Sequence, residues 1–127
     1  MKNKKEVGKA LGKVPSGLFI VTAKFKDQED AVLASWVNQC SFDPPAVTVA
    51  LGVARHARLL VEASRSFIVN VLGKDSSDLM KHFFKAPAPG TSVFEGLKVT
   101  KGLHDIKILK EAAVYLECEL REQTAFG

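Results

Sequence analysis

The sequence predicts a mainly β domain, a small barrel with inserted helices. Three observations carry that prediction. Runs rich in β-branched and aromatic residues recur along the chain, as in GLFIVTAKF (17–25), AVTVALGV (46–53) and FIVNVLG (67–73). The run AAVYLECELRE (112–122) alternates cleanly, with Val114, Leu116, Cys118 and Leu120 facing one way and Tyr115, Glu117, Glu119 and Arg121 the other, the pattern of a one-sided antiparallel strand. Only two internal segments, 54–63 and 75–85, repeat their apolar residues at helical spacing.

Taken in order, residues 6–12 read as a short helix, with Val7, Ala10 and Leu11 at helical spacing and Gly12 and Pro15 ending it. The strand 17–25 follows. Lys26-Asp27-Gln28-Glu29-Asp30 reads as a hairpin turn into AVLASWVN (31–38). Asp43-Pro44-Pro45 then separates this strand from 46–53, because proline donates no ladder hydrogen bond and fixes the direction of the turn. In ARHARLLVEA (54–63), Ala57, Leu60, Val61 and Ser64 share a helical face. A buried strand (67–73) leads to a second helix, DSSDLMKHFFK, with Asp75 or Ser76 as N-cap and the pairs Leu79/Phe83 and Met80/Phe84 four apart. Residues 86–90 form a loop, LKVT (97–100) a short strand before a glycine turn, and 112–122 the last strand. No repeat or linker interrupts this order, so residues 1–127 read as a single domain.

Composition narrows the function classes. With 46% apolar and 25% charged residues, 127 residues suffice for one core. No apolar run reaches the roughly 20 residues a membrane helix needs, and the basic start leads into EVGKALGK rather than an apolar signal core; a soluble, unexported, cytoplasmic protein with no membrane partner is expected. Cys40 and Cys118 lie far apart and in no metal-type spacing, so buried thiols are favoured over a disulfide. The net charge of +4 suits an anionic ligand, but the cations are scattered among acids and the phenylalanines fall at apolar or helix positions, which argues against a nucleic-acid-binding barrel. His56, His82 and His104 are dispersed, and no metal site is expected.

One constellation carries chemistry. A helix beginning near Ala57 points its free N–H groups at the preceding loop, where Arg55 and His56 stand, which suits a phosphate; an ordinary loop with a solvated arginine fits the same spacing. If 31–39 is a strand and 46–52 its neighbour, Ser35, Trp36, Asn38, Gln39 and Ser41 offer hydroxyl, indole and amide groups at the rim, able to pair with a heteroaromatic ring and a polyol. A core role for Trp36 and a turn-capping role for Ser41 remain the alternatives.

LASWVNQCSFDPPAVTVAL, then FIVNVL, LMKHFFK, FEGLKV and YLECEL, in that order and spacing, resemble the flavin reductase-like FMN-binding split-barrel family, especially the flavin reductase domain that forms the C-terminal module of some flavodiiron proteins. The resemblance runs from about Gly17 to Gly127, and its most specific parts are Ser41-Phe42-Asp43-Pro44-Pro45 and Asn70-Val71-Leu72. It implies a homodimer of split β-barrels with FMN at the subunit interface, reduction of the flavin by NAD(P)H, and delivery of electrons to an acceptor protein or domain. Carried over by position, Leu33, Ala34, Ser35 and Trp36 line the flavin, Ser41 bonds to it, Ala50, Leu51 and Gly52 border the ring, Arg55 and His56 approach the phosphate, and Phe83 packs near the site. A flavin-binding electron-transfer module without its own NAD(P)H oxidation is the alternative. Many members carry two hydroxyl or amide residues where this chain has Ser35-Trp36, and members continue after the glycine at 127 with Asp-His and a further strand, so a truncated domain is expected.

Overall fold

A computed structural model describes residues 3–127. The elements are α1 (Lys4–Leu11), β1 (Phe19–Phe25), β2 (Gln28–Ala34), β3 (Val37–Phe42), β4 (Pro45–Val49), α2 (His56–Ser64), β5 (Ser66–Val71), α3 (Ser77–Phe84), β6 (Val99–Lys101), β7 (Lys107–Leu109) and β8 (Val114–Glu119). A mainly β fold with inserted helices is what the alternation predicted. Eight short strands replace the six read from the sequence, because 31–39 splits in two and 107–109 adds a strand.

The main sheet is antiparallel in the order β2-β1-β5-β8, and β3-β4 and β6-β7 form two further hairpins. Side-chain alternation gives the main sheet two apolar faces. On one, Val21, Ala23, Val32, Ala34, Phe67 and Val69 pack with Ala57, Leu60 and Val61 of α2, the helical face the spacing predicted. Ile20, Ala31 and Leu33 turn to the other face, where Leu79 and Phe83 of α3 meet Phe94 and Leu109.

The second face is pinned by a buried polar clasp. Asn70, fully buried, donates from Nδ2 to the Ile20 carbonyl at 2.9 Å, and its Oδ1 accepts from the Leu109 amide at 3.0 Å. Thr22 Oγ1 donates to the Lys107 carbonyl at 2.7 Å. These bonds hold the β6-β7 hairpin on the sheet and explain a strand as short as Lys107–Leu109, which has no sequence periodicity to announce it.

Strand β2 ends at Ala34 because its partner ends there: Ala34 pairs with Phe19, the first residue of β1. The chain therefore leaves the sheet at Ser35-Trp36, and residues 37–42 pair with 45–49 rather than continuing β2. As predicted, Asp43-Pro44-Pro45 ends one strand and starts the next; the Asp43–Pro44 peptide is cis.

Helix α1 covers 4–11 rather than 6–12 and buries no residue. Ser76 is the N-cap residue of α3, but its hydroxyl accepts from the Gly73 amide and donates to the Glu111 carbonyl instead of capping. Phe84, expected to pair with Met80, is exposed. Both cysteines are free, yet the expectation of two buried thiols fails for Cys40, which lies exposed on the β3-β4 hairpin away from either face of the main sheet. In β8, Val114, Leu116 and Cys118 pair with Val71, Val69 and Phe67 and so share their face, as the alternation predicted. Val114 and Leu116 nevertheless stay 56% and 41% exposed, because α2 packs over β1 and β2 and leaves the β8 edge bare.

Candidate functional site

The site is assembled where the chain leaves β2. The Ala50 amide donates to the Trp36 carbonyl at 2.9 Å, one step beyond the Val37–Val49 pair, so Ser35-Trp36 and Ala50-Leu51 lie side by side. Val37, Val49 and Leu51 pack into the α2-side core and anchor the base of the hairpin. A bulge at Cys40 shifts the register, pairing Gln39 with Val47 but Ser41 with Ala46. One extra residue flips every later side chain, so Ser41 joins Asn38, Ala46 and Thr48 on one face while Val37 and Val49 keep the other. Asn38, Ser41 and Thr48 thus form a polar side of the hairpin, while the opposite side, which also carries Gln39, is anchored in the core through Val37 and Val49. Trp36 is 67% exposed, which removes the core reading for its indole. Among the described residues, that indole N–H and the hydroxyls of Ser35 and Ser41 make no hydrogen bond.

Beyond Leu51 the chain makes a turn closed by the Arg55 amide donating to the Gly52 carbonyl at 3.0 Å. Arg55 is then the N-cap residue of α2, with extended dihedrals, no side-chain cap bond and no acid in the first turn. At the start of this nine-residue helix the Arg58 amide donates to the Arg55 carbonyl at 3.1 Å and Ala57 is fully buried, which leaves the amide of the exposed His56 without a backbone partner among the described residues. Arg55 itself has no ion pair or side-chain hydrogen bond among the described residues. Its side chain folds back over Gly52, with Cγ 3.4 Å from where a Cβ at residue 52 would sit.

His56 goes elsewhere. Its Nε2 donates to Gln28 Oε1 at 3.0 Å, at the start of β2. It lines a cleft of about 440 Å³ with Asp27, Glu29 and Asp30, whose carboxylates repel an anion. The two neighbouring residues with which the sequence built an anion site are thereby directed to different surroundings, and only Arg55 stays with the Gly52 turn.

Leu33 and Ala34 also diverge, as strand neighbours do. Ala34 faces the α2-side core, while Leu33 packs with Phe83 on the other face. Phe83 meets His82 edge-on at 4.9 Å between centroids, and His82 Nε2 donates to the Val93 carbonyl at 2.8 Å, which ties α3 to the following loop. Phe83 is a packing residue beneath β2. A cleft of about 890 Å³ between α3 and that loop, lined by Lys81, Lys85, Phe84 and Glu95 among others, contains none of the residues expected to touch flavin.

Sequence reasoning passed over Arg58. Its Nε donates to the Val53 carbonyl at 2.8 Å, and its terminal nitrogen pairs with Glu62 at 2.8 Å. The i, i+4 spacing of Arg58 and Glu62 was the available signal. Burial raises the pKa of the Cys118 thiol.

Residues 11–127 match the family model described as a flavin reductase like domain. Diflavin flavoprotein A 1 of Synechocystis sp. (strain PCC 6803) is 40% identical over 116 residues, covering 91% of this chain and 20% of that protein. The chain thus spans about a fifth of the length of the curated relatives it matches. Among solved structures, the NADH:FAD oxidoreductase SgcE6 of Streptomyces globisporus C-1027 shares the fold with a TM-score of 0.85, at 23% identity, over 99% of this chain and 75% of that one. The flavin reductase HpaC, solved in complex with NADP+, reaches 0.81 at 26% identity over 97% of this chain and 77% of that one. Matched from residue 11 to residue 127, the chain belongs to the flavin reductase-like family.

Proposed function

We propose that this chain is an FMN-binding flavin reductase that moves a hydride from NAD(P)H to the flavin and passes electrons to an acceptor. One observation carries the reading: an uncapped helix N-terminus and an unpaired Arg55 follow directly on a hairpin whose Ser35, Trp36 and Ser41 donors are free. A phosphate matches the first, and a polyol bearing a polar heteroaromatic ring matches the second, so the residues fit FMN. Arg55 and the backbone amide of His56 at the start of α2 would hold the phosphate. Ser35, Ser41 and the Trp36 indole would bond to the ribityl chain and ring edge, and Ala50, Leu51 and Gly52 would border the ring with backbone. Leu33, Ala34 and Phe83 stiffen the strand beneath.

When bound, the flavin supplies the redox chemistry. The chain contributes orientation and fixed dipoles, consistent with the absence of a strong acid–base pair among these residues. The imidazole of His56, held by Gln28, is assigned no phosphate contact. A second copy of the chain is proposed to complete the site, since Trp36, Val114 and Leu116 lie open on one chain. The acceptor is proposed to lie in the same polypeptide as this module, because the relatives are about five times longer. The two free cysteines accord with a cytoplasmic setting. No helix among the described residues is long and apolar enough to cross a membrane.

That same difference in length favours a second reading, an electron-transfer module reduced by a partner domain. Steady-state oxidation of NADH and NADPH with added FMN separates the two. A reductase consumes the nicotinamide only when flavin is present; a module that takes up FMN without consuming either nicotinamide supports the second reading.

A further inference from the structure

We propose that Arg58 is a positioning residue for the phosphate end of the site, an inference that rests on the flavin reading above. The turn it serves has little else to hold it. Gly52, Val53, Ala54 and Arg55 are all exposed, with Val53 69% exposed, so packing does not fix them. The turn's internal closure is the single bond from the Arg55 amide to the Gly52 carbonyl. Among the described residues, one side chain reaches it by hydrogen bond: Arg58 Nε donates to the Val53 carbonyl at 2.8 Å, across the space before the first turn of α2.

Arg58 is itself held. One of its terminal nitrogens donates to Glu62 Oε2 at 2.8 Å, and the other oxygen of Glu62 accepts from Gln123 Nε2 in the segment after β8. A relay Gln123–Glu62–Arg58–Val53 therefore runs along one side of α2 to the turn that presents Arg55. The guanidinium suits the task because its planar fork directs separate N–H groups at two acceptors; a lysine ammonium is a point charge on a flexible stem. An i, i+4 ion pair on a helix surface adds little stability by itself. Its place beside the turn is what gives Arg58 a specific consequence: it holds the carbonyl of Val53, and thereby the backbone from which Arg55 and the His56 amide face a phosphate.

The test uses Arg58→Gln and Arg58→Lys in the full chain, with FMN and riboflavin dissociation constants read by flavin fluorescence and amide exchange at Arg55 read without flavin. Arg58→Gln is expected to weaken FMN binding about tenfold, as loss of one hydrogen bond to a charged group would, to leave riboflavin binding unchanged, and to speed exchange of the Arg55 amide. Arg58→Lys is expected to behave like the glutamine variant. Equal losses for both flavins, full rescue by lysine, or unchanged exchange at Arg55 would each overturn the proposal. A wild-type chain that takes up neither flavin overturns the flavin reading, while exchange in the flavin-free protein still decides whether Arg58 holds the turn.

Discussion

Arg55 folds back on Gly52: its amide donates to the Gly52 carbonyl at 3.0 Å, and its Cγ lies 3.4 Å from the position of a Cβ at residue 52. Gly52 has no left-handed φ, so space rather than backbone conformation distinguishes it. Gly52→Ala meets only the stem of a flexible side chain and is expected to fold and bind FMN as the wild type does. Gly52→Val puts branches into the arginine stem and is expected to weaken FMN binding while shifting stability by no more than about 0.5 kcal/mol, the usual range for an exposed site. Flavin titration and urea unfolding of the two variants check both halves.

Arg55→Ala removes the unpaired cation beside the α2 amides. A lost charge-assisted hydrogen bond costs about 1.5–3 kcal/mol, or roughly 10- to 100-fold in affinity. The loss is expected for FMN and not for riboflavin, which has no phosphate. His56→Ala is expected to spare both, since its imidazole is committed to Gln28. Parallel fluorescence titrations decide it, and a larger effect at His56 than at Arg55 would reverse the assignment of the phosphate.

Asn70→Ala strips the clasp between β1, β5 and β7. It leaves the Leu109 amide and Ile20 carbonyl without their side-chain partner, and each buried group left unsatisfied costs about 1–3 kcal/mol. A destabilisation of about 2–5 kcal/mol is expected from urea unfolding. Loss of amide protection is expected to be greatest at Leu109.

The two thiols differ in reach. Cys40 is exposed and is expected to react with an aromatic disulfide reagent well before Cys118. Burial raises the pKa of Cys118 above its ordinary 9.0, so the folded state favours the neutral thiol. That contribution is fully present below about pH 9, the unfolded thiol's pKa, and is lost as pH rises from there through the folded value. Stability measured across this alkaline window is expected to fall less in Cys118→Ala than in the wild type.

Much of the fold was legible because it rests on local pattern. The Ala57/Leu60/Val61 stripe, the alternation in 114–120 and the Pro44-Pro45 break each report a local preference, and each appears in the structure. What escaped depends on distant partners. The β2 strand stops at Ala34 because β1 starts at Phe19, and Lys107–Leu109 becomes a strand because Asn70 and Thr22, far away in sequence, hold it. Similarly, adjacency placed Arg55 and His56 in one site, but Gln28 draws the imidazole aside. For Trp36, sequence left core as the alternative to rim, and the end of β2 decided for the rim.

Equilibrium titration of the purified chain with FMN, followed by visible absorbance and flavin fluorescence, bears on all of this at once. A chain with the site described takes up FMN saturably and more tightly than riboflavin, with Arg55 accounting for the difference. A colourless protein that leaves added FMN unperturbed at every concentration would contradict the flavin site.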